Sequence, residues 1–174
     1  MIAAVSAAPL RPTTPDERAA RYGELREEIG AVLAGERDRV ARMATVAAML
    51  AQAFAPRFFW TGFYVVDPFK PDELVVGPYL GTLGCLRIAF GRGVCGTAAA
   101  TRTVQVVDDV HAFPDHIACD SRSASEIVLP VLDAAGALIA VLDVDSTEPA
   151  AFDAADAEGL AAILADVFAF DPAS

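Results

Sequence analysis

The sequence predicts an α+β domain whose central, mostly antiparallel sheet is packed by N-terminal and C-terminal helices. Three observations carry that prediction. Apolar residues recur at three- and four-residue steps near both ends of the chain, which is helical spacing. Between those ends the pattern changes to short aromatic and β-branched runs separated by turn residues, which read as strands and hairpins. A single short helix interrupts the strands, so helices and strands do not alternate as they would around a parallel sheet.

The elements follow in order. Thr14-Pro15-Asp16-Glu17 starts a helix, with Thr14 as N-cap, Pro15 in the first turn and Glu17 closing a capping box. That helix runs to about Ala34, and Gly35 punctuates it. A second helix is expected from Glu36 to about Phe54, with Val40, Met43, Ala47, Leu50 and Phe54 as its core-facing stripe. Phe58 to Val66 is the first strand, ended by Asp67-Pro68, and Glu73 to Gly77 is its hairpin partner. Leu86 to Phe90 is a third short strand. Gly91 and Gly93 then open a helix through Arg102, and Thr103 to Val107 returns to extended structure. Residues 108–124 are polar and read as a long loop, a kind of segment that in compact domains often carries function. Ile127–Leu132 and Leu138–Val144 form a last hairpin, and Asp153 caps a closing helix with Leu160, Ile163, Leu164, Val167 and Phe168 inward.

The 174 residues fit one domain, and a composition 55% hydrophobic and 21% charged excludes disorder. The net charge of −11 is unevenly placed: residues 1–60 hold 8 Arg and 7 acidic residues, whereas residues 61–174 hold 5 basic and 17 acidic ones. An acidic functional half repels phosphates and anionic lipid, so neither nucleic acid nor a membrane is an expected partner. A cationic ligand group suits it. No run of 18 apolar residues exists to span a bilayer. Residues 1–13 read as a loose N-terminal extension rather than a signal peptide, because no basic residue precedes the apolar start. Three cysteines without close pairing do not make a secreted disulfide framework, and the expected compartment is the cytoplasm.

Those cysteines carry the chemistry. Cys85, Cys95 and Cys119 fall within 35 residues of a chain that otherwise has none. Thiols are the one side chain here capable of reversible two-electron chemistry without a cofactor. Cys95 lies in Gly-Arg-Gly-Val-Cys-Gly at a predicted helix start, where the amides favour an anion: a substrate carboxylate or a thiolate of lowered pKa. Cys119 lies in the long loop between His116 and Asp120, a setting for a reactive thiol. Cys85 opens a strand, where a small core residue is an equal reading. No C-x-x-C pair is present, and the gaps between thiols do not suit structural zinc, so no metal is expected.

Carboxylates surround the thiols. Asp143 and Asp145 are two apart on one predicted strand and share a face, with Val144 opposite, and Glu126 joins them from the adjacent strand. Like charges this close raise at least one pKa, leaving a carboxyl that keeps its proton near neutral pH. Trp60 and Tyr64 are four apart on another strand and share a face, either as core or as the apolar wall of a ligand site.

Taken together these segments resemble the free methionine-(R)-sulfoxide reductases, enzymes built on a single GAF domain. The resemblance spans roughly Gly35 to Phe168. It rests on Trp60-Thr-Gly-Phe-Tyr64, Gly91-Arg-Gly-Val-Cys-Gly-Thr97, His116-Ile-Ala-Cys-Asp120, Ser125-Glu-Ile-Val-Leu-Pro130 and Val141-Leu-Asp-Val-Asp-Ser-Thr147. It implies a GAF domain over 14–174, with N-terminal helices in 14–55 and the catalytic sheet, loop and closing helix in 56–174. It also implies reduction of free L-methionine-R-sulfoxide, with Cys119 as nucleophile passing through a sulfenic acid. Cys85 then resolves it as a disulfide, with Cys95 as alternative or relay, and thioredoxin returns the dithiol. Glu126, Asp143 and Asp145 would receive the ammonium and the sulfoxide oxygen, Glu126 or Asp145 would donate the proton, and Trp60 and Tyr64 would enclose the S-methyl group. No cofactor is implied, and GAF domains commonly pair through flanking helices, so a homodimer is expected. Rival readings are a GAF sensor without turnover and a reductase of protein-bound sulfoxide, which would need no ammonium site.

Overall fold

A computed structural model describes residues 12–115 and 120–169 of the chain. Cys119, His116 and most of the N-terminal extension lie outside the described residues. Two helices come first, α1 (Pro15–Val32) and α2 (Arg39–Phe54). The strands β1 (Trp60–Asp67), β2 (Lys70–Leu80) and β3 (Arg87–Ala89) follow. Next come α3 (Gly93–Thr101), β4 (Gln105–Val107), β5 (Ser125–Leu132), β6 (Leu138–Ser146) and α4 (Ala154–Phe168). The six strands form one sheet in the order β3-β2-β1-β6-β5-β4, and every pairing is antiparallel.

The helix starts are chemically specified. Thr14 accepts from the Glu17 amide while the Glu17 carboxylate accepts from the Thr14 amide at 3.0 Å, the capping box read from the sequence. The second helix begins at Arg39 rather than Glu36. Asp38 caps it by accepting from the Ala41 amide at 2.8 Å, and the Glu36 side chain holds the preceding turn. Val40, in the first turn, is 62% exposed and stands outside the stripe assigned to it; Met43, Ala47, Leu50 and Phe54 are buried as expected. β2 is longer than its hydrophobic run because a register shift opposite Gly62–Tyr64 takes up Pro78, which has no amide to give a ladder. The loop after β4 is not wholly irregular: Val110–Ala112 makes a 3₁₀ turn, and buried Val110 donates its amide to the Ala124 carbonyl at 3.0 Å.

Each strand feeds two different faces. Phe63, Ile127, Leu129, Val131, Leu142 and Val144 meet the inward stripes of α1, α2 and α4 in one core. Trp60, Tyr64, Val128 and Val141, at alternate positions, pack with Ile88, Val94 and Ala98 on the opposite face, under α3. The first face is built mainly from apolar side chains, with Thr61 buried among them, and the second carries the carboxylates of the cleft.

One buried polar cluster ties α1 and α4 to the end of α2. Asp156, fully buried, accepts from Tyr22 Oη at 2.8 Å and from both Arg57 Nη atoms at 2.6 and 3.0 Å, and Arg18 Nε stands 3.4 Å away. Asp156 also closes the α4 capping box with Asp153. Arg57 lies over the Phe54, Phe58 and Phe152 rings. Removing the carboxylate leaves the Arg57 cation without its counter-charge and Arg18 with Asp153 alone, so Asp156→Ala is expected to cost about 3–5 kcal/mol. A shift of the urea midpoint at unchanged slope measures it; a cost below about 1 kcal/mol would show the cluster to be dispensable.

Candidate active site

The polar face of the sheet opens into a cleft under α3. Trp60, Tyr64, Cys95, Glu126, Asp143 and Asp145 are among its lining residues. Strand register explains the convergence. Trp60 faces Asp145 and Gly62 faces Asp143 across β1–β6, while Glu126 faces Asp145 across β5–β6. Three carboxylates from two neighbouring strands therefore sit on one side of the sheet, and Val144 points to the helix-side core. β5 starts at Ser125 and β6 runs through Ser146, so all three acids are held inside strands.

Burial dominates their electrostatics. The Glu126 and Asp143 carboxyls are pushed well above the usual carboxylate range, first by desolvation and then by the neighbouring acids, Asp143 and Asp145 on Glu126 and Asp145 on Asp143. Asp145, closer to the mouth, is raised by desolvation to about 7 although a hydrogen bond from Ser123 opposes the shift. Asp143 Oδ1 is buried and has no hydrogen-bond partner. A lone acceptor of this kind, on a residue that lines a cleft, is costly unless a ligand donor meets it.

Trp60 and Tyr64 do share a face. Their rings stack at 5.6 Å, and Tyr79 stacks against the indole at 5.0 Å. Trp60 Nε1 donates to the Thr82 carbonyl at 2.9 Å. Two glycines let the indole lie this close to backbone. A Cβ on Gly62 would stand 2.2 Å from Tyr79 Cβ, and one on Gly81, whose φ is +136°, would stand 2.6 Å from Trp60 Cδ1. The wall is thus fixed before any ligand arrives.

The three thiols differ. Cys95 is buried and free, at the third position of α3, and its Sγ lies 3.8 Å from Glu126 Oε1. Burial, then Asp143 and Glu126, push its thiol well up, so the lowered pKa that its helix-terminal place suggested is not found. Cys85 is half-buried in the segment between β2 and β3 and is disulfide-bonded. Cys119 lies outside the described residues, but its neighbour Asp120 is firmly held. Asp120 accepts from Thr82 Oγ1 at 2.6 Å and from Arg122 Nε and Nη2 at 3.0 and 2.8 Å, which keep its carboxyl well below the usual range. Arg122 in turn lies 4.7 Å over the Phe59 ring.

Sequence reasoning missed Tyr79, Thr82, Ser123 and Arg92 at this site. Arg92 lines the cleft at the α3 N-cap position. Its Gly-Arg-Gly setting was visible in the chain; Ser123 lines the cleft, and Tyr79 and Thr82 brace its residues Trp60 and Asp120, through register and loop closure that leave no local signal.

Comparison with known proteins agrees with this geometry. The GAF domain family matches residues 27–170. The free methionine-R-sulfoxide reductase of Escherichia coli (strain K12) is 42% identical over 146 residues, covering 84% of this chain and 86% of that protein. GAF domain-containing protein A of Dictyostelium discoideum is 47% identical over 144 residues, covering 83% and 88%. Among solved structures, free methionine-R-sulfoxide reductase from Neisseria meningitidis in complex with its substrate superposes with a TM-score of 0.82, at 48% identity and 92% coverage of both chains. Fold, acid-lined cleft and close relatives agree, and this protein belongs to the GAF-domain family of free methionine-R-sulfoxide reductases.

Proposed function

We propose that the protein reduces free L-methionine-R-sulfoxide to L-methionine. The observation that carries this reading is the buried acid cluster, with Asp143 Oδ1 unpartnered in a cleft walled by stacked aromatics. Asp143 and Asp145 receive the substrate ammonium, whose positive charge allows both to ionise. The substrate carboxylate lies toward Arg92 and the amides at the start of α3. Trp60 and Tyr64 hold the S-methyl group and present one sulfoxide epimer to the thiol. A peptide-bound sulfoxide offers no ammonium, so three acids around the cleft favour the free amino acid.

The chemistry proceeds in two stages. Glu126, which its surroundings keep protonated, donates a hydrogen bond and then the proton to the sulfoxide oxygen, making sulfur electrophilic. The Cys119 thiolate attacks sulfur, the oxygen passes to Cys119 as a sulfenic acid, and methionine leaves with two more electrons on sulfur. Cys85 then displaces water from the sulfenic acid to give a disulfide. Cys85 being disulfide-bonded while Cys95 is free supports this order, and Cys119 is the remaining thiol of the sequence. A dithiol reductant of the thioredoxin type supplies two electrons and two protons to return both thiols. A homodimer paired through the flanking helices and a cytoplasmic setting belong to the same proposal, on fold analogy and on the need for reduced thiols.

Turnover of the two epimers tests it. Methionine should form from free L-methionine-R-sulfoxide at least about 100-fold faster than from the S epimer or from an N-acetylated R substrate. Equal rates on the blocked substrate would overturn the ammonium site, and no turnover in protein with free thiols would leave a GAF binding module.

A further inference from the structure

Among the described residues, Cys95 is a buried free thiol to which that cycle gives no task. Its Sγ, a Glu126 oxygen and an Asp143 oxygen lie within 4.8 Å of one another, all buried. An ammonium ion needs only oxygen acceptors, so the thiol is surplus to that role. A metal is different. Sulfur is a soft donor, and one thiolate with two carboxylates is a zinc-type set, not a magnesium or calcium one.

We propose that Cys95, Glu126 and Asp143 form a site for a thiophilic divalent cation of the zinc and cadmium class, and that such an ion closes the cleft to substrate. Two independent observations carry it. The first is the donor triangle: the 3.8 Å from Cys95 Sγ to Glu126 Oε1 is close to the ~3.5 Å edge of a tetrahedron built from ordinary Zn–S and Zn–O bonds. The second is Asp143 Oδ1, a carboxylate oxygen on a residue 5% exposed that no protein donor meets. The cleft beside these donors leaves room for an ion with a water or two as its remaining ligands. A doubly charged ion also relieves the mutual repulsion of the acids. On binding, Cys95 loses its proton to solvent and its sulfur becomes the third protein ligand.

The three donors come from α3, β5 and β6, which is why spacing along the chain gave no metal pattern. The ion occupies Asp143, one of the two acceptors assigned to the substrate ammonium, and Glu126, the assigned proton donor, so ion and substrate exclude each other. That inhibitory half rests on the activity proposed above; the binding half does not.

The test uses the full chain oxidised as in this structure, where Cys95 is the free thiol among the described residues and Cys85 is in its disulfide. Cadmium ion is titrated in while the ultraviolet thiolate-to-cadmium charge-transfer band is followed. A band saturating at one ion per chain is expected, absent in Cys95→Ser and at least about tenfold weaker in affinity in Asp143→Asn. Asp143→Asn preserves shape, so it reports even where Cys95→Ser folds poorly. Absence of a wild-type band, its survival in Cys95→Ser, or its loss to excess magnesium would overturn the site. Excess free methionine sulfoxide should raise the midpoint at least about tenfold; an unmoved midpoint would overturn the inhibition. Epimer turnover in chelator-treated buffer stays separate, so a failed metal site and a failed enzyme reading give different results.

Discussion

Cys119→Ser is expected to eliminate methionine formation, whereas Cys85→Ser is expected to release one equivalent of methionine per chain and then stop. The first half of the cycle needs only a nucleophile, a proton donor and a bound sulfoxide. A hydroxyl in place of the thiol cannot accept the oxygen, so nothing follows binding. Without Cys85 the oxygen transfer still occurs, and the sulfenic acid waits for an external thiol. Rapid-quench measurement of methionine in the first turnover, with trapping of the sulfenic acid, checks both statements. Cys95 is a poor substitute resolver: it is buried, it lies against Glu126, and its pKa is driven upward, so little thiolate is present. Repeated turnover by Cys85→Ser with thioredoxin, lost again in Cys85→Ser/Cys95→Ser, would instead make Cys95 the resolving thiol.

Glu126→Gln is expected to lower kcat by about 10²–10⁴ while raising stability at pH 8. The amide keeps the shape and can still donate a hydrogen bond, but it cannot transfer a proton to the leaving oxygen. The stability effect has the opposite sign. Glu126, Asp143 and Asp145 hold their protons in the folded chain at pH values where the unfolded chain has released them. The native state then binds more protons, so stability is fully present below the unfolded values near ~4 and declines as pH rises. For Asp145 that decline runs up to its folded value of about 7. The uncharged amide removes one repelling acid and flattens the curve. Thermal unfolding at pH 5 and pH 8 reads this directly, and a wild type whose stability rises over that interval would contradict the assigned burial of charge.

Much of the site was visible in the chain because its logic is local. Asp143-Val144-Asp145 announces a strand with two acids on one face, and Trp60 with Tyr64 does the same for the wall. The capping residues Thr14 and Asp153 placed their helix starts within a residue or so for the same reason. What escaped depends on contacts distant in sequence. Tyr79 reaches Trp60 only through the β1–β2 register shift, and Thr82 reaches Asp120 across 38 residues of chain. Val40 fits the periodicity of α2 and is exposed all the same, because periodicity says which side of a helix is apolar but not how far along it the packing partners reach. The lowered thiol pKa, one of two readings of the Cys95 helix start, rested on a sequence feature, whereas the burial and the three acids that push it up are products of folding.

Because faces alternate along β1, β5 and β6, such a chain can change length only in certain places. Residues in the middle of these strands belong either to the helix-side core or to the cleft, with no neutral positions between. Inserting or deleting one residue within β6 would send Asp143 and Asp145 into the apolar side and bring Leu142 and Val144 to the cleft, destroying fold and chemistry together. Length variation is therefore confined to the connections, such as the turn at 67–70 and the loop at 133–137, where an extra residue flips nothing.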